Sequence, residues 1–251
     1  MNEIESILRQ SILLIPAYNE EESLGPLLGE VRQLFPSLQV LVINDASTDR
    51  TAAVLRQEGV PSLNLPCNLG IGGAMQVGFA YAYEQGWRYA IRCDGDGQHP
   101  PAEIPKLVAA MQTGEADLVI GSRFLADHSY TSTAVRSAGI HALARFLSWI
   151  CHAPVTDPTS GFQMVNRVLL GFFAQHYPAD YPEPESLSLL RRQGYSFKEV
   201  GTTFRPRTSG RSSIHWNHTG YYALKVAVAL VVDRARPVDE RYARHNREAR
   251  G

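Results

Sequence analysis

The chain has 251 residues, enough for one large domain, or a domain with an appendage, and for a sizeable core. Hydrophobic residues make up 44% and charged residues 20%, an ordinary globular balance, and a net charge of −1 gives no electrostatic ground for a nucleic-acid partner; none is expected. The charge is unevenly spread: residues 1–125 hold 8 Lys/Arg and 15 Asp/Glu, while residues 126–251 hold 16 and 10, so an acidic half that suits a cation precedes a basic half that suits an anion.

Short β-branched runs alternate with helical patterns. "SILLI" (11–15) predicts a strand and residues 20–35 a helix. "VLVIN" (40–44) predicts a second strand, and Ser47, Thr48 and Asp49 offer N-caps for a helix through Glu58. A weak strand follows at 62–65, then a small-residue helix at 72–86. "YAIRC" (89–93) is a strand, 101–114 a helix and "DLVIGS" (117–122) a strand. Beyond residue 123 the pattern predicts a helix at 134–151 and a turn at 156–161. It then predicts a helix following "YPEPE" and running to Gln193, a strand at 196–204 and a helix at 219–232. The tail 233–251 is charged and mixed in sign. Strands alternating with helices predict an α/β fold, a mostly parallel sheet with helices on both faces. Such sheets bind ligands beyond the carboxyl ends of their strands.

Cys67, Cys93 and Cys151 are widely spaced and form no CxxC, which argues against a disulfide framework and a zinc site. "MNEIESILRQ" has no basic segment leading into a long apolar core, so no signal peptide is expected. "YYALKVAVALVV" (221–232) is short for a span and Lys225 interrupts it. These features predict a cytoplasmic protein, with peripheral attachment to the inner face of the membrane through the last helix admitted.

Polar clusters fall at the predicted strand ends. The first strand leads into Pro16, Ala17, Tyr18, Asn19 and Glu20, and the second into Asn44 and Asp45. Adjacent, these groups suit a nucleotide base and ribose. "NLGIGGAMQVG" (68–78), with Asn68 and Gly70, is a glycine-rich turn opening a helix. It lacks the Lys-Ser/Thr of a P-loop and the spacing of a dinucleotide fingerprint. "DGDGQHPP" places Asp94 and Asp96 one residue apart. Two carboxylates this close repel unless a cation joins them, and hard oxygen ligands suit Mg²⁺ or Mn²⁺. Gln98 offers an amide oxygen, and Gly95 and Gly97 permit tight turns.

"PAYNEEESL", "VLVINDASTDRT", "NLGIGGAMQVG", "DGDGQHPP" and "DLVIGSR" together resemble the inverting family 2 glycosyltransferases of GT-A fold, over roughly residues 10–215. The resemblance implies a metal-dependent hexosyltransferase using a UDP- or GDP-linked sugar. Asp94 and Asp96 would hold the metal, Asp45 would lie by the base, and Pro16–Glu20 would line the nucleotide pocket. Asn68, Gly70 and Gly95 fall with them on the donor side. It divides the chain into one domain over 1–215, with a donor half at about 10–123 and an acceptor half at 124–215, and a C-terminal helix and tail over 216–251.

"GSRF", "VRSAGIHALARFL", "DPTSGFQMVNR" and "EVGTTFRPRTSGRSSI" resemble the second half of dolichyl- and polyprenyl-phosphate sugar synthases. That resemblance implies a polyprenyl phosphate acceptor, with Arg123, Arg136 and Arg207 as its clamp; planar guanidinium groups bind phosphate oxygens in pairs. "GRSS" departs from the family's Gly-x-Ser-Lys by placing Ser213 at the lysine position, with Arg211 nearby. Glu183 and Glu185 leave an alternative open. A sugar-hydroxyl acceptor on a surface glycan needs a general base, Glu185 or else Glu183, whereas a lipid phosphate is already ionised. A small membrane protein and a homo-oligomer are admitted as partners. A donor-binding protein without transfer activity is the reading from outside the enzymes, and the intact Asp94, Asp96 and Gln98 count against it.

Overall fold

The computed structural model describes residues 3–126 and 134–206, together with Val226 and Leu230; of residues 134–136 it describes the backbone. In chain order the elements are α1 (Glu3–Leu8), β1 (Ser11–Ala17), α2 (Leu24–Leu34), β2 (Gln39–Asn44), α3 (Thr51–Glu58), β3 (Ser62–Asn64), α4 (Gly70–Glu84), β4 (Tyr89–Arg92), α5 (Ile104–Gln112), β5 (Leu118–Ser122), α6 (Ala134–Cys151), β6 (Gln163–Asn166), α7 (Arg167–His176), α8 (Pro182–Arg192) and β7 (Phe197–Gly201).

Seven strands form one sheet in the order β3-β2-β1-β4-β6-β5-β7. All pairings are parallel except those of β6, which runs antiparallel to both β4 and β5. The sheet is sandwiched because its strands alternate. Ile12 and Leu14 of β1 face one core with Leu41 and Ile43 of β2; α4, α6, α7 and α8 cover it. Leu13 and Ile15 face the other core with Val42, Ile91 and Val119, under α1, α2, α3 and α5.

Three elements lie outside the sequence-based expectation: α1, β6 and α7. The helix expected after "YPEPE" begins inside that motif, at Pro182, a position where proline's missing N–H costs nothing. Ser47, Thr48 and Asp49 do not occupy the cap position of α3, which is Arg50. Asp49 serves from one residue earlier, its Oδ1 accepting the N–H of Thr51 at 2.9 Å. Of the helix expected over 219–232, Val226 and Leu230 are helical, four residues apart and fully buried in the α4–α6–α7–α8 core. That face packs into the protein. No helix of the described residues is long and apolar enough to cross a membrane. Arg207 and the 208–214 segment lie outside the described residues.

Candidate active site

The carboxyl ends of β2, β1 and β4 lie side by side, which brings the first three polar clusters together. After β1 the chain turns at Asn19, whose φ of 58° is one that asparagine tolerates well. Its Oδ1 accepts the N–H groups of Thr48 at 2.8 Å and Asp49 at 3.3 Å. The N–H groups of Glu20 and Glu21 donate to Thr51 and Asp49. The two loops are thus stapled into one rim, from which Tyr18 projects, 47% exposed. Asp45 is buried, and its Oδ1 accepts the N–H of Leu69 at 2.7 Å. It therefore ties the end of β2 to the turn that opens α4. Within that turn Asn68 Oδ1 accepts the N–H of Gly70 at 3.0 Å.

The loop after β4 is the centre of the site. Gly97 has a φ of 72°, as its place in a tight turn requires. Gly95 meets a different demand: a Cβ there would lie 3.0 Å from the Pro16 carbonyl, so the loop presses against the end of β1. Asp96 is 5% exposed, and its Oδ1 accepts the Gln98 N–H at 3.0 Å. Asp94 keeps more exposure, 30% for its side chain. Its backbone N–H donates to Nδ1 of His99 at 3.0 Å, which assigns the imidazole proton to Nε2. His99 is buried, stacked on Phe162 at 5.2 Å with Phe204 edge-on at 4.9 Å. Burial pushes its pKa down, against the pull of Asp94 and Asp96.

Arg92, the last residue of β4, belongs to none of the sequence motifs, and it organises the cluster. Its side chain is 2% exposed. Nε and Nη2 each lie 3.1 Å from Asp94 Oδ1, and Nη2 lies 2.7 Å from Glu183 Oε1. Nη1 donates to the Tyr177 hydroxyl at 3.3 Å. Burial alone would weaken the guanidinium's hold on its proton, but Asp94 and Glu183 raise its pKa well above the ordinary value. Burial also raises the Tyr177 phenol, so its neutral hydroxyl oxygen accepts from Arg92. The signal in the sequence was an arginine ending an apolar strand two residues before an aspartate. Glu183 and Glu185 both sit in the first turn of α8, where the helix dipole favours them.

Arg123, at the end of β5, is held by a buried partner. Its Nε lies 2.7 Å from Asp157 Oδ2 and its Nη2 lies 2.6 Å from Asp157 Oδ1; Nη2 also donates to Thr159 at 2.6 Å. Its Cζ sits 5.2 Å from the Phe204 ring centre. The fork expected to meet an acceptor phosphate therefore already grips a carboxylate. Glu199 of β7 supports the same loop by accepting the N–H groups of Thr156 and Asp157. Burial raises its pKa. Arg136 stands in the first turn of α6. The chain before Arg207 is anchored near the acidic loop: the N–H of Arg205 donates to the Gln98 carbonyl at 2.9 Å, and its guanidinium pairs with Glu30.

Among the described residues no three or more His, Cys, Asp or Glu side chains converge on one metal position. The donor set nonetheless fits a hard divalent ion whose shell a ligand's oxygens complete. Arg92 against Asp94, Glu183 and Asp96 leaves one positive and three negative groups, a formal −2 at the strand ends.

A mixed sheet with a single antiparallel strand, carrying an acidic pair just past β4, is the architecture that this chain shares with solved GT-A glycosyltransferases. The chain belongs to glycosyl transferase family 2, whose family model matches residues 12–169, and it is an inverting enzyme of that family. It is 32% identical over 213 residues to the undecaprenyl-phosphate mannosyltransferase of Micrococcus luteus, covering 80% of this chain and 79% of that protein. It is 28% identical to the polyprenol monophosphomannose synthase of Mycolicibacterium smegmatis, covering 82% and 75%. In structure it is similar to glucosyl-3-phosphoglycerate synthase from Mycobacterium tuberculosis in complex with phosphoglyceric acid. The TM-score is 0.72 at 20% identity, covering 94% of this chain and 85% of that one.

Proposed function

We propose that the protein transfers a sugar from a nucleotide-diphosphate donor to polyprenyl phosphate at the membrane face. The observation that carries this reading is the acidic cluster after β4, set beside the stapled rim of β1 and β2 within a chain related over four fifths of its length to polyprenyl-phosphate mannosyltransferases. The rim from Pro16 to Glu20, with Asp45 and the Asn68–Gly70 turn, forms the donor side. Asp94 and Asp96, with Gln98, are the residues that would hold Mg²⁺ or Mn²⁺. A divalent ion bound there supplies charge neutralisation for the leaving diphosphate.

The chain's own residues do the rest by placement. Arg92 and His99 fix Asp94, so the donor diphosphate meets a preset site and needs no reorganisation. A lipid phosphate oxygen attacks C1 of the sugar as the bond from C1 to the diphosphate oxygen breaks. The products are a sugar-phosphate lipid and a nucleoside diphosphate. The phosphate enters ionised, so no general base is needed. Glu183 is committed to Arg92, which fits an acceptor of that kind. Arg136 and Arg207 are the arginines proposed for the acceptor phosphate; Arg123 contributes by holding the Asp157 loop. We divide the chain accordingly, with the donor half at about 10–123 and the acceptor half at 124–215. The 216–251 segment follows, and of it Val226 and Leu230 are buried in the core under α4, α6, α7 and α8.

The test is a transfer assay. Protein, Mg²⁺ or Mn²⁺ and a short-chain polyprenyl phosphate are mixed with a panel of UDP- and GDP-sugars, and mass spectrometry reads the lipid. A metal-dependent glycosylated lipid is expected. Metal-dependent donor hydrolysis, with transfer only to glycan hydroxyls, would overturn the acceptor assignment.

A further inference from the structure

The acidic pair belongs to the donor half and α8 to the acceptor half, yet one side chain joins them. Arg92 is fully buried, and a buried guanidinium with no carboxylate would cost several kcal/mol. Here it has two carboxylates from distant parts of the chain, Asp94 two residues on and Glu183 at the start of α8. Nη2 touches both, at 3.1 Å and 2.7 Å, so a shift of either carboxylate moves the group the other depends on. On the side facing Gly161 the pair has no room to spare. A Cβ on Gly161 would lie 2.6 Å from Asp94 Oδ2 and 2.7 Å from Arg92 Nη2, so the backbone preceding β6 lies directly against the ion pair. Tyr177, in the turn between α7 and α8, holds the far side of the guanidinium.

Building on the donor site proposed above, we infer that Arg92 is a positioning residue for Asp94, braced by Glu183, and that this bridge sets donor-site geometry from the α8 side. Glu183 acts as the brace and takes no proton from an acceptor. A planar fork is required because one guanidinium must meet two carboxylates at once. An ammonium offers the charge without the fixed directions.

The test uses full-length protein with UDP and, separately, GDP as probes, each with MnCl₂, by titration calorimetry. Arg92→Lys keeps the charge, and Arg92→Gln combined with Glu183→Gln removes one charge of each sign while keeping hydrogen-bonding side chains. Circular dichroism melts establish that each variant folds. The expected result is a folded double variant that binds the preferred Mn²⁺–nucleotide at least tenfold more weakly, with Arg92→Lys failing to restore affinity. A folded double variant with wild-type affinity overturns the bridge. So does full rescue by Arg92→Lys, which would leave charge alone as the cause. Wild-type protein that binds neither nucleotide overturns the donor-site reading itself, and this inference with it.

Discussion

Replacing Asp157 by alanine removes a buried carboxylate that holds a buried arginine. The carboxylate is 0% exposed and the Arg123 side chain 9% exposed, so water cannot take over. Three bonds from Arg123 disappear together: Nε at 2.7 Å, Nη2 at 2.6 Å and the backbone N–H at 3.0 Å. Removing one partner of a buried pair costs about 3–5 kcal/mol, because the remaining charge is left uncompensated. For a chain of this size each kcal/mol lowers the melting temperature by about 2–4 °C, so a fall on the order of 10 °C is expected. Arg123→Gln combined with Asp157→Asn makes the opposite test. It removes both charges and keeps an oxygen to accept the backbone N–H, so only net hydrogen-bond energy is lost, about 1–2 kcal/mol. Urea unfolding of the wild type, the alanine variant and the double variant measures both costs. If Asp157→Ala stays within about 1 kcal/mol of the wild type, or the double variant is as unstable as the single, the buried-pair argument is wrong. The same loop ends at Gly161, against Asp94, so a loosened loop should also weaken donor binding.

Asp96→Ala should abolish transfer while the melt stays near that of the wild type; a folded variant with near-normal turnover removes Asp96 from the metal site. Glu185→Gln should leave turnover on polyprenyl phosphate largely intact, since an ionised phosphate has no proton to give up; a loss of more than tenfold in kcat with unchanged donor binding would restore it as a base. Glu199 supplies a pH test. Burial raises its folded pKa, so the folded state binds the proton more tightly and stability falls as pH rises from the ordinary carboxylate value through the raised one. Glu199→Gln should therefore cost more at pH 4.5 than at pH 7 in urea unfolding, and an equal cost at both would contradict the assignment.

The strand ends were legible because parallel strands with both faces covered carry continuous apolar runs, and β1, β2, β4 and β5 all do. Helix α6 spans Ala134–Cys151, the bounds its sequence pattern predicts. What was not legible has a tertiary cause. Strand β6 is the four residues Gln163–Asn166, too short to show a period, and its place between β4 and β5 comes from pairing with both. Helix α7 follows it directly, with Asn166 both closing the strand and accepting the Leu169 N–H as the helix cap. With no intervening loop residues, strand and helix read as one irregular apolar stretch.

At the site, local motifs exposed the groups that face a ligand and concealed those that hold them. Asp94 and Asp96 stand out because adjacent carboxylates demand a reason. Arg92, Asp157 and Glu199 do not, since each makes sense only beside a partner far along the chain: Glu183, Arg123 and the Thr156–Asp157 backbone. The antiparallel strand is what brings them together. Because β6 runs against its neighbours, its amino end, and the 156–161 loop before it, lie at the carboxyl ends of β4 and β5. A parallel strand in that place would have put that loop at the opposite edge of the sheet. Gly161 could not then lie against Asp94, nor Asp157 beneath Arg123. The one reversed strand thus sets the 156–161 loop against Asp94, and Arg92 is where Asp94 meets α8.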